Sequence, residues 1–343
     1  MAEKKAQIDI FLENLKKTYP NNYQKIIEGL KHAPRTTFRI NRQKGNSEQV
    51  HKSLRDEGFT TKPGPIENSY IITNISSRKY ISDTQSYISG QIYVQELSSM
   101  VPPILLNPKE GEYILDIAAA PGSKTTQIAE MTKNKSFILA IEKHPLRIRT
   151  LHHNIKLQNS EKIKVIQGNG IKFDKRNSEF VDFFDKVLVD APCSTEGRFN
   201  LNNSKTYQYW NIHKRKDMSK IQKGLLISGI RMLKPGGTLV YSTCTFGIEE
   251  NELVMDWLLQ KYPELVVEKI DLKSIGIKNY IDGITSWNNK ELNAQIKNAM
   301  HILPNEYFSG FFAAKFMKPK NFPKPSLEMH ADVSSLSKVH HLS

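Results

Sequence analysis

Cysteine is scarce: the 343 residues include two, Cys193 and Cys244. In a reducing compartment a disulfide between them is not expected. Two isolated cysteines and scattered histidines also fall short of the four ligands zinc takes, so no metal is expected. Long apolar runs are missing as well, none approaching the roughly 20 residues that cross a bilayer. The amino terminus, "MAEKKAQIDIFLENL", lacks the apolar core of a secretory signal. No stretch reads as a basic amphipathic anchor, so the expectation is a cytoplasmic, monomeric protein without a membrane partner. Acidic side chains are in deficit too. Against 49 Lys and Arg stand 35 Asp and Glu, for a net charge of +14 at pH 7. Such an excess suits a polyanionic partner, because each phosphate contact releases condensed counterions.

The remaining composition, with 38% hydrophobic residues, is that of a globular chain long enough for one large domain and a smaller one. Residues 1–90 read as a small α+β module. "IDIFLENLKKTYPNNYQKIIEGLKH" has helical apolar spacing broken at Pro20, followed by a strand ("TTFRINRQ"), a helix ("SEQVHKSLRDEGF") and a strand ("SYIITN"). This segment carries 15 Lys and Arg against 9 Asp and Glu. Arg39, Asn41 and Arg42 can reach a nucleic-acid backbone or simply form a solvated basic face.

Over residues 91–317 strands and helices alternate, the signature of a parallel sheet. Candidate strands are "EYILDIAA", "SFILAIEK", "IKVIQGN", "FDKVLVDA" and "GTLVYSTC", short apolar runs of the kind buried parallel strands show. Helices are expected over 123–132, 145–158, 217–233 and 249–261. "AMHILPNEY" and "SGFFAAKFM" read as a hairpin closing one edge. A tail rich in Pro, Ser, Lys and His, 318–343, is expected to be disordered.

"YILDIAAAPGSKTTQIAE" is strand, small-residue turn and helix. Its turn, Ala118, Ala119, Ala120, Pro121, Gly122, Ser123 and Lys124, lets a ligand approach the backbone and the free N–H groups of a helix start. It is neither GxGxxG nor a P-loop, which argues against a dinucleotide or ATP phosphate. A strand ending in Asp116 suits a ligand with a cationic amine. Glu142, ending the next strand, can accept from both hydroxyls of a ribose or serve as an ordinary helix cap. Together they suggest S-adenosylmethionine (SAM) in a class I SAM-methyltransferase fold, an α/β Rossmann-like, mostly parallel sheet with an antiparallel last strand. The Gly-Gly turn of "MLKPGGTLVYS" suits the run-in to its fifth strand.

Both cysteines follow strands. Asp190-Ala-Pro-Cys193 has a thiol where N-methyltransferases carry an aromatic residue to cradle an amine. A thiol there serves carbon: a thiolate adding to carbon 6 of a pyrimidine makes carbon 5 nucleophilic. Spacing alone leaves open which cysteine attacks.

The chain resembles the NOL1/NOP2/Sun (RsmB-like) family of RNA 5-methylcytosine methyltransferases. The similarity runs over about residues 35–317, through "FRINRQ", "YVQELSS", "DIAAAPGSKT", "EKHPLR", "DAPCSTEG", "YWNI", "IQKGLL", "KPGGTLVYSTC", "EENE" and "GFFAAKF". It implies Cys244 as the nucleophile and Cys193 as the residue that assists proton removal and product release. It further implies that Asp190 contacts the cytosine edge, with Lys124 in support. The implied SAM-binding residues are Ala118 to Lys124, Glu142, Asn169 and Asp190, with Arg147 supporting Glu142. The implied substrate is RNA, ribosomal or transfer.

Three positions depart from the family pattern. Ser123 replaces the second glycine of Gly-Gly-Lys. Asn169 replaces an aspartate, which implies weaker adenine binding. His301 takes the place of a basic residue, leaving one phosphate contact open. Glu249, Glu250 and Glu252 read as first-turn acids complementing a helix dipole. Tyr207, Tyr209 and Trp210 can stack bases or simply pack. Two rival functions are a non-catalytic RNA-binding assembly factor retaining a SAM pocket, and a methyltransferase acting on protein or a small molecule.

Overall fold

A computed structural model of the chain describes residues 2–74 and 80–323. The chain opens with α1 (Ala2–Thr18) and α2 (Tyr23–Leu30), interrupted by Pro20 as the sequence suggests. These helices leave the small sheet that follows and bury Phe11, Leu15, Ile26 and Leu30 with Phe199, Trp210, Phe246 and Leu303 of the large domain. Phe11 meets Phe199 and Trp210 edge-on at 5.0 and 5.7 Å, a favoured aromatic geometry.

The small sheet is antiparallel, in the order β2 (Thr61–Pro63), β3 (Ser69–Ile72), β1 (Thr37–Ile40), β4 (Ile92–Val94). Strand β4 pairs with β1 from Phe38↔Val94 to Ile40↔Ile92, so this sheet draws in residues past position 90. Over it lies α3 (Ser47–Asp56), whose Val50 and Leu54 are one helical turn apart and join Phe38, Ile40, Phe59 and Ile92 in one cluster. The short α4 (Gln85–Ile88) precedes β4.

Arg39, Asn41 and Arg42, which could equally reach a nucleic-acid backbone or form a solvated basic face, tie the small sheet to the elements of the large one. Arg39 is buried. Its Nε donates to Gln95 Oε1 at 3.0 Å, its Nη2 donates to Thr126 Oγ1 at 2.7 Å, and it lies over the Tyr93 ring. Asn41 Nδ2 donates to the Gln158 carbonyl at 2.8 Å. Arg42, half-exposed, pairs with Glu130 at 2.7 Å and Glu67 at 3.1 Å. A guanidinium can satisfy several acceptors across a domain junction from one planar fork, which accounts for arginine here.

One helix goes unannounced in the sequence because it contains Pro102 and Pro103: α5 (Leu97–Leu106). A proline cannot donate to the carbonyl one turn back. The Ser99 carbonyl that Pro103 cannot serve accepts from Gln95 Nε2 at 3.1 Å instead, so a side chain replaces the missing ladder bond.

The large sheet runs β11 (Tyr280–Asp282), β14 (Met300–Ile302), β15 (Phe311–Met317), β9 (Leu233–Thr243), β8 (Phe184–Asp190), β5 (Tyr113–Asp116), β6 (Phe137–Glu142), β7 (Ile163–Gln167), with β10 (Val266–Glu268) beside β15. From β9 to β7 the pairings are parallel, and β15 is antiparallel to β9. The five expected strands are all present. The terminal hairpin forms, but β11 pairs with β14 beyond it and takes the edge. The Gly-Gly turn is absorbed into β9, where the register against β8 shifts between Phe184 and Lys186.

The sheet is flanked by α6 (Ser123–Met131), α7 (Pro145–Leu157), the short α8 (Phe173–Arg176), α9 (His213–Met232) and α10 (Glu252–Lys261); β12 (Ser286–Trp287) and β13 (Lys290–Glu291) form a small hairpin. Among the described residues no helix is long and apolar enough to cross a membrane. The expected disordered tail begins with a fixed residue. Lys318 is buried, its Nζ donating to Asp182 at 2.6 Å and to the Ile230 and Leu233 carbonyls at 2.9 and 2.7 Å. Residues 324–343 of that tail lie outside the described residues.

Arg39→Ala is expected to destabilise the protein by about 3 kcal/mol, the scale of lost buried hydrogen bonds to a charged group. The half-exposed Arg35, paired with Glu306 at 3.4 Å, should change stability by no more than about 0.5 kcal/mol when truncated. Urea denaturation of the two variants checks the difference.

Candidate active site

Parallel pairing of β8 with β9 brings Asp190 opposite Ser242, and Ser242 Oγ donates to Asp190 Oδ1 at 2.7 Å. Cys193 lies three residues beyond that rung and Cys244 two. Their sulfurs are 3.2 Å apart, and the Cys244 N–H points at the Cys193 sulfur at 3.4 Å. Cys193 is buried and Cys244 half-buried. On the other side of Asp190, Lys124 from the first turn of α6 pairs with its Oδ2 at 2.6 Å and donates to Ser99 Oγ at 2.8 Å. The geometry gathers both thiols, the carboxylate and the ammonium at the carboxyl ends of neighbouring strands, where crevices of open α/β sheets form.

The thiols are electrostatically unequal. Cys244 is lowered, first by the hydrogen bond from Cys193, against the effect of burial, and then by the charges of Arg198 and Lys124. Cys193 is raised by sharing its proton with Cys244, by burial and by the Glu250 carboxylate. Of the two, Cys244 is the thiol whose ionised form is favoured and Cys193 the one whose proton is held. Arg198 is in turn raised, mostly by the Cys244 charge.

Farther along the sheet, Ala118 to Pro121 form the turn after β5, and Gly122 caps α6 with φ 103°. That left-handed backbone favours glycine, and a Cβ there would lie 2.8 Å from Leu151 Cδ1. Ser123 begins α6 half-buried. Asp116 is buried: its Oδ2 accepts from Thr125 Oγ1 at 2.7 Å, while Oδ1 has no hydrogen-bond partner among the described residues. Burial, with a smaller contribution from Asp190, pushes its carboxyl up to about 7. Glu142 Oε1 accepts from the His144 N–H at 2.9 Å, and its Oε2 faces Arg147 Nη1 at 3.3 Å. Arg147 also donates to the Ala120 carbonyl. Asn169 Oδ1 accepts from the Ile171 N–H at 3.1 Å, acting as a local cap.

His301 is not a phosphate contact. It is 1% exposed, with Nε2 2.6 Å from Glu252 and Nδ1 3.4 Å from the Tyr19 hydroxyl. Trp210 packs rather than stacks: buried, it donates to Glu196 Oε1 at 2.9 Å. Tyr207 packs against Phe199, whereas Tyr209 is 84% exposed. Glu196 also holds Arg215 at 2.6 Å, and Arg215 reaches Glu249 at 3.3 Å. Sequence reasoning passed over Arg198, Glu196 and Ser99. Glu196 and Ser99 lie inside the motifs "DAPCSTEG" and "YVQELSS" and Arg198 directly follows the first, but what each faces is set by the fold.

The family model described as 16S rRNA methyltransferase RsmB/F matches residues 103–317, and an RsmF/B-like, ferredoxin-like domain matches residues 9–74. The chain belongs to the RsmB/F family. Within it, the chain is 37% identical over 291 residues to the tRNA (cytosine(49)-C(5))-methyltransferase of Pyrococcus abyssi, covering 83% of this chain and 89% of that one. It is 33% identical over 328 residues to the ribosomal RNA small subunit methyltransferase F of Vibrio parahaemolyticus, covering 93% of this chain and 65% of that one. It therefore spans most of the archaeal relative and under two thirds of the Vibrio protein. A solved methyltransferase homolog from Pyrococcus horikoshii superposes with a TM-score of 0.76 at 31% identity, over 90% of this chain and 94% of that one. This RsmB/F member is thus an enzyme of the SAM-dependent methyltransferase class with a Rossmann-like fold.

Removing the Arg198 cation should raise the apparent pKa of Cys244, because less positive charge stabilises its thiolate. The pH dependence of iodoacetamide labelling, read by mass spectrometry, is expected to shift upward in Arg198→Ala. Cys244 should also label before Cys193 in the unaltered protein.

Proposed function

We propose that this protein methylates carbon 5 of cytosine in ribosomal or transfer RNA, using SAM, through a transient bond between Cys244 and carbon 6. The observation that carries this reading is the pair of thiols 3.2 Å apart beside the Lys124–Asp190 ion pair. The residues around the first turn suit SAM. The partnerless buried Oδ1 of Asp116 is an acceptor for the ammonium of its amino-acid group. Glu142, with Arg147 holding one oxygen, retains lone pairs for two ribose hydroxyls. The free N–H groups at the start of α6 and the small side chains of Ala118–Ala120 accommodate a ligand against the backbone. Asn169 and Ser123 complete this set, and Asp190 borders it. SAM supplies an electrophilic methyl group.

The chain's own residues supply the nucleophile and the proton handling. The target base leaves its stack, as bases must for chemistry on their edges. The Cys244 thiolate then bonds to carbon 6, and the electron pair released into the ring makes carbon 5 a nucleophile. The negative charge that reaches the N3 edge is taken up by a proton delivered through Asp190 from the Lys124–Asp190 pair, and that proton is returned when the ring re-forms. After methylation carbon 5 carries both a methyl and a proton. Cys193, once its own proton has passed to solvent, is the stronger base of the pair and takes that proton. Carbon 5 and carbon 6 regain their double bond as the sulfur of Cys244 leaves. The +14 charge supplies general attraction to the RNA backbone, with residues 1–90 as a second contact region.

Cys193→Ala should stop release and accumulate a protein–RNA adduct that survives a denaturing gel in the presence of SAM. Cys244→Ala and the double variant should form none. An adduct retained in Cys244→Ala would sink the assignment. Because Asp116 sits near pKa 7 and a cationic amine binds its ionised form, SAM affinity should fall as pH drops below about 7, by up to about tenfold per unit. Calorimetric titrations at pH 6 and pH 8 check this, and Asp116→Asn should flatten the dependence.

A further inference from the structure

Glu250, Asn251 and Glu252 lie at the entry to α10, and none has exposed surface. Acids that merely complement a helix dipole keep their carboxylates in water. These do not. Glu250 Oε2 accepts from the Ser194 N–H and from Gln222 Nε2, both at 3.0 Å, and its Oε1 accepts from the Ser194 hydroxyl. Asn251 Oδ1 accepts from Thr243 Oγ1 at 2.6 Å, and its Nδ2 donates to the Thr245 carbonyl at 3.0 Å. The hydroxyls of Ser194 and Thr245 meet at 2.7 Å. Glu250 therefore grips the residue after Cys193, and Asn251 grips both neighbours of Cys244.

From this geometry we infer that Glu250 and Asn251 form a positioning clamp that sets the distance and orientation between the two thiols. The inference rests on the reading of Cys193 and Cys244 as the reacting pair. Both cysteines lie past the last rungs of β8 and β9 and need another source of fixed position. A carboxylate is suited to the task because one group accepts several donors at once. It leaves neither the N–H nor the hydroxyl of Ser194 unpaired in the interior, where a lost partner is costly. Neither clamp residue touches the reacting atoms. Their positioning effect passes through Ser194, Thr243 and Thr245, while the charge of Glu250 acts on Cys193 besides.

The test compares Glu250→Ala, Asn251→Ala and the isosteric Glu250→Gln. The readouts are calorimetric SAM affinity, kcat and KM for RNA, and the rate at which diamide oxidises the two thiols to a disulfide. Diamide takes up the two electrons and two protons, so that rate reports thiol geometry without any RNA. Expected for the alanine variants are unchanged SAM affinity and KM, a kcat lower by about 10²-fold, the usual penalty for misplacing a reacting group by about 1 Å, and slower disulfide formation. Glu250→Gln keeps one acceptor oxygen and should recover most of the loss in both rates. Alanine variants with unaltered kcat and disulfide rate overturn the clamp. So does a uniform loss of SAM affinity, KM and thermal stability, which marks general support of the fold. If the alanine variants do not fold, Glu250→Asp, which keeps the charge but shortens the reach to Ser194, decides: lowered kcat and slower disulfide formation with unchanged SAM affinity support the clamp, and both rates unchanged overturn it. An unaltered protein that forms the disulfide readily yet methylates no cytosine would sink the proposed function and leave the clamp standing.

Discussion

The structure depends on one pairing, the parallel register of β8 against β9 that places Asp190 beside Ser242. In a parallel sheet neighbouring strands end on the same side, so residues just past two such ends become neighbours whatever their separation in sequence. A slip of one residue would turn every following side chain to the opposite face. It would point one cysteine away from the other and remove Asp190 from Lys124. The apolar residues on both sides of the sheet, Val187, Val189, Leu239 and Tyr241 on one face and Leu188 and Val240 on the other, hold the register by burial. The thiol pair is in this sense a product of the hydrophobic core.

Around that pairing several buried charges are shared. Glu196 is held by Arg215 and Trp210, Glu252 by His301, and Lys318 by Asp182 and two carbonyls. Buried ions with several hydrogen bonds of fixed geometry are poor sources of net stability but strong determinants of a single arrangement. Several of the residues that make this chain basic are spent in this way. Arg39 and Arg42 join the domains, and Arg215 braces the loop after Cys193. Net charge thus overstates the cationic surface left for a partner.

Much of the fold was legible because it obeys period and punctuation. The five parallel strands are short apolar runs between turn residues, and Pro20 separates the first two helices. The elements that escaped notice break local rules and are rescued from a distance. Pro102 and Pro103 argue against α5, which is stabilised by Gln95 and by the burial of most of its residues. Strand β4 is too short to announce itself and exists because β1 offers a partner. In the candidate site, the motif residues Cys193, Cys244, Asp190, Lys124, Glu142 and Arg147 could be named in advance. Glu250 and Arg198 could not be assigned contacts, since an acid before a helix and an arginine in a loop carry no pattern that says what they face. The same holds for His301, whose buried partner Glu252 is 49 residues away.

The packing of α1 and α2 on Phe199, Trp210 and Phe246 separates two notions of a domain. The recognisable methyltransferase segment begins at residue 103, inside α5, and the preceding recognisable segment ends at residue 74. The first of these limits falls within a helix and not at a physical seam. A fragment cut at residue 103 would keep half a helix and leave the aromatic wall behind the Cys193 loop facing water. The stretch that matches the methyltransferase model and the set of elements packed around it are therefore different. The second includes helices contributed by its first thirty residues.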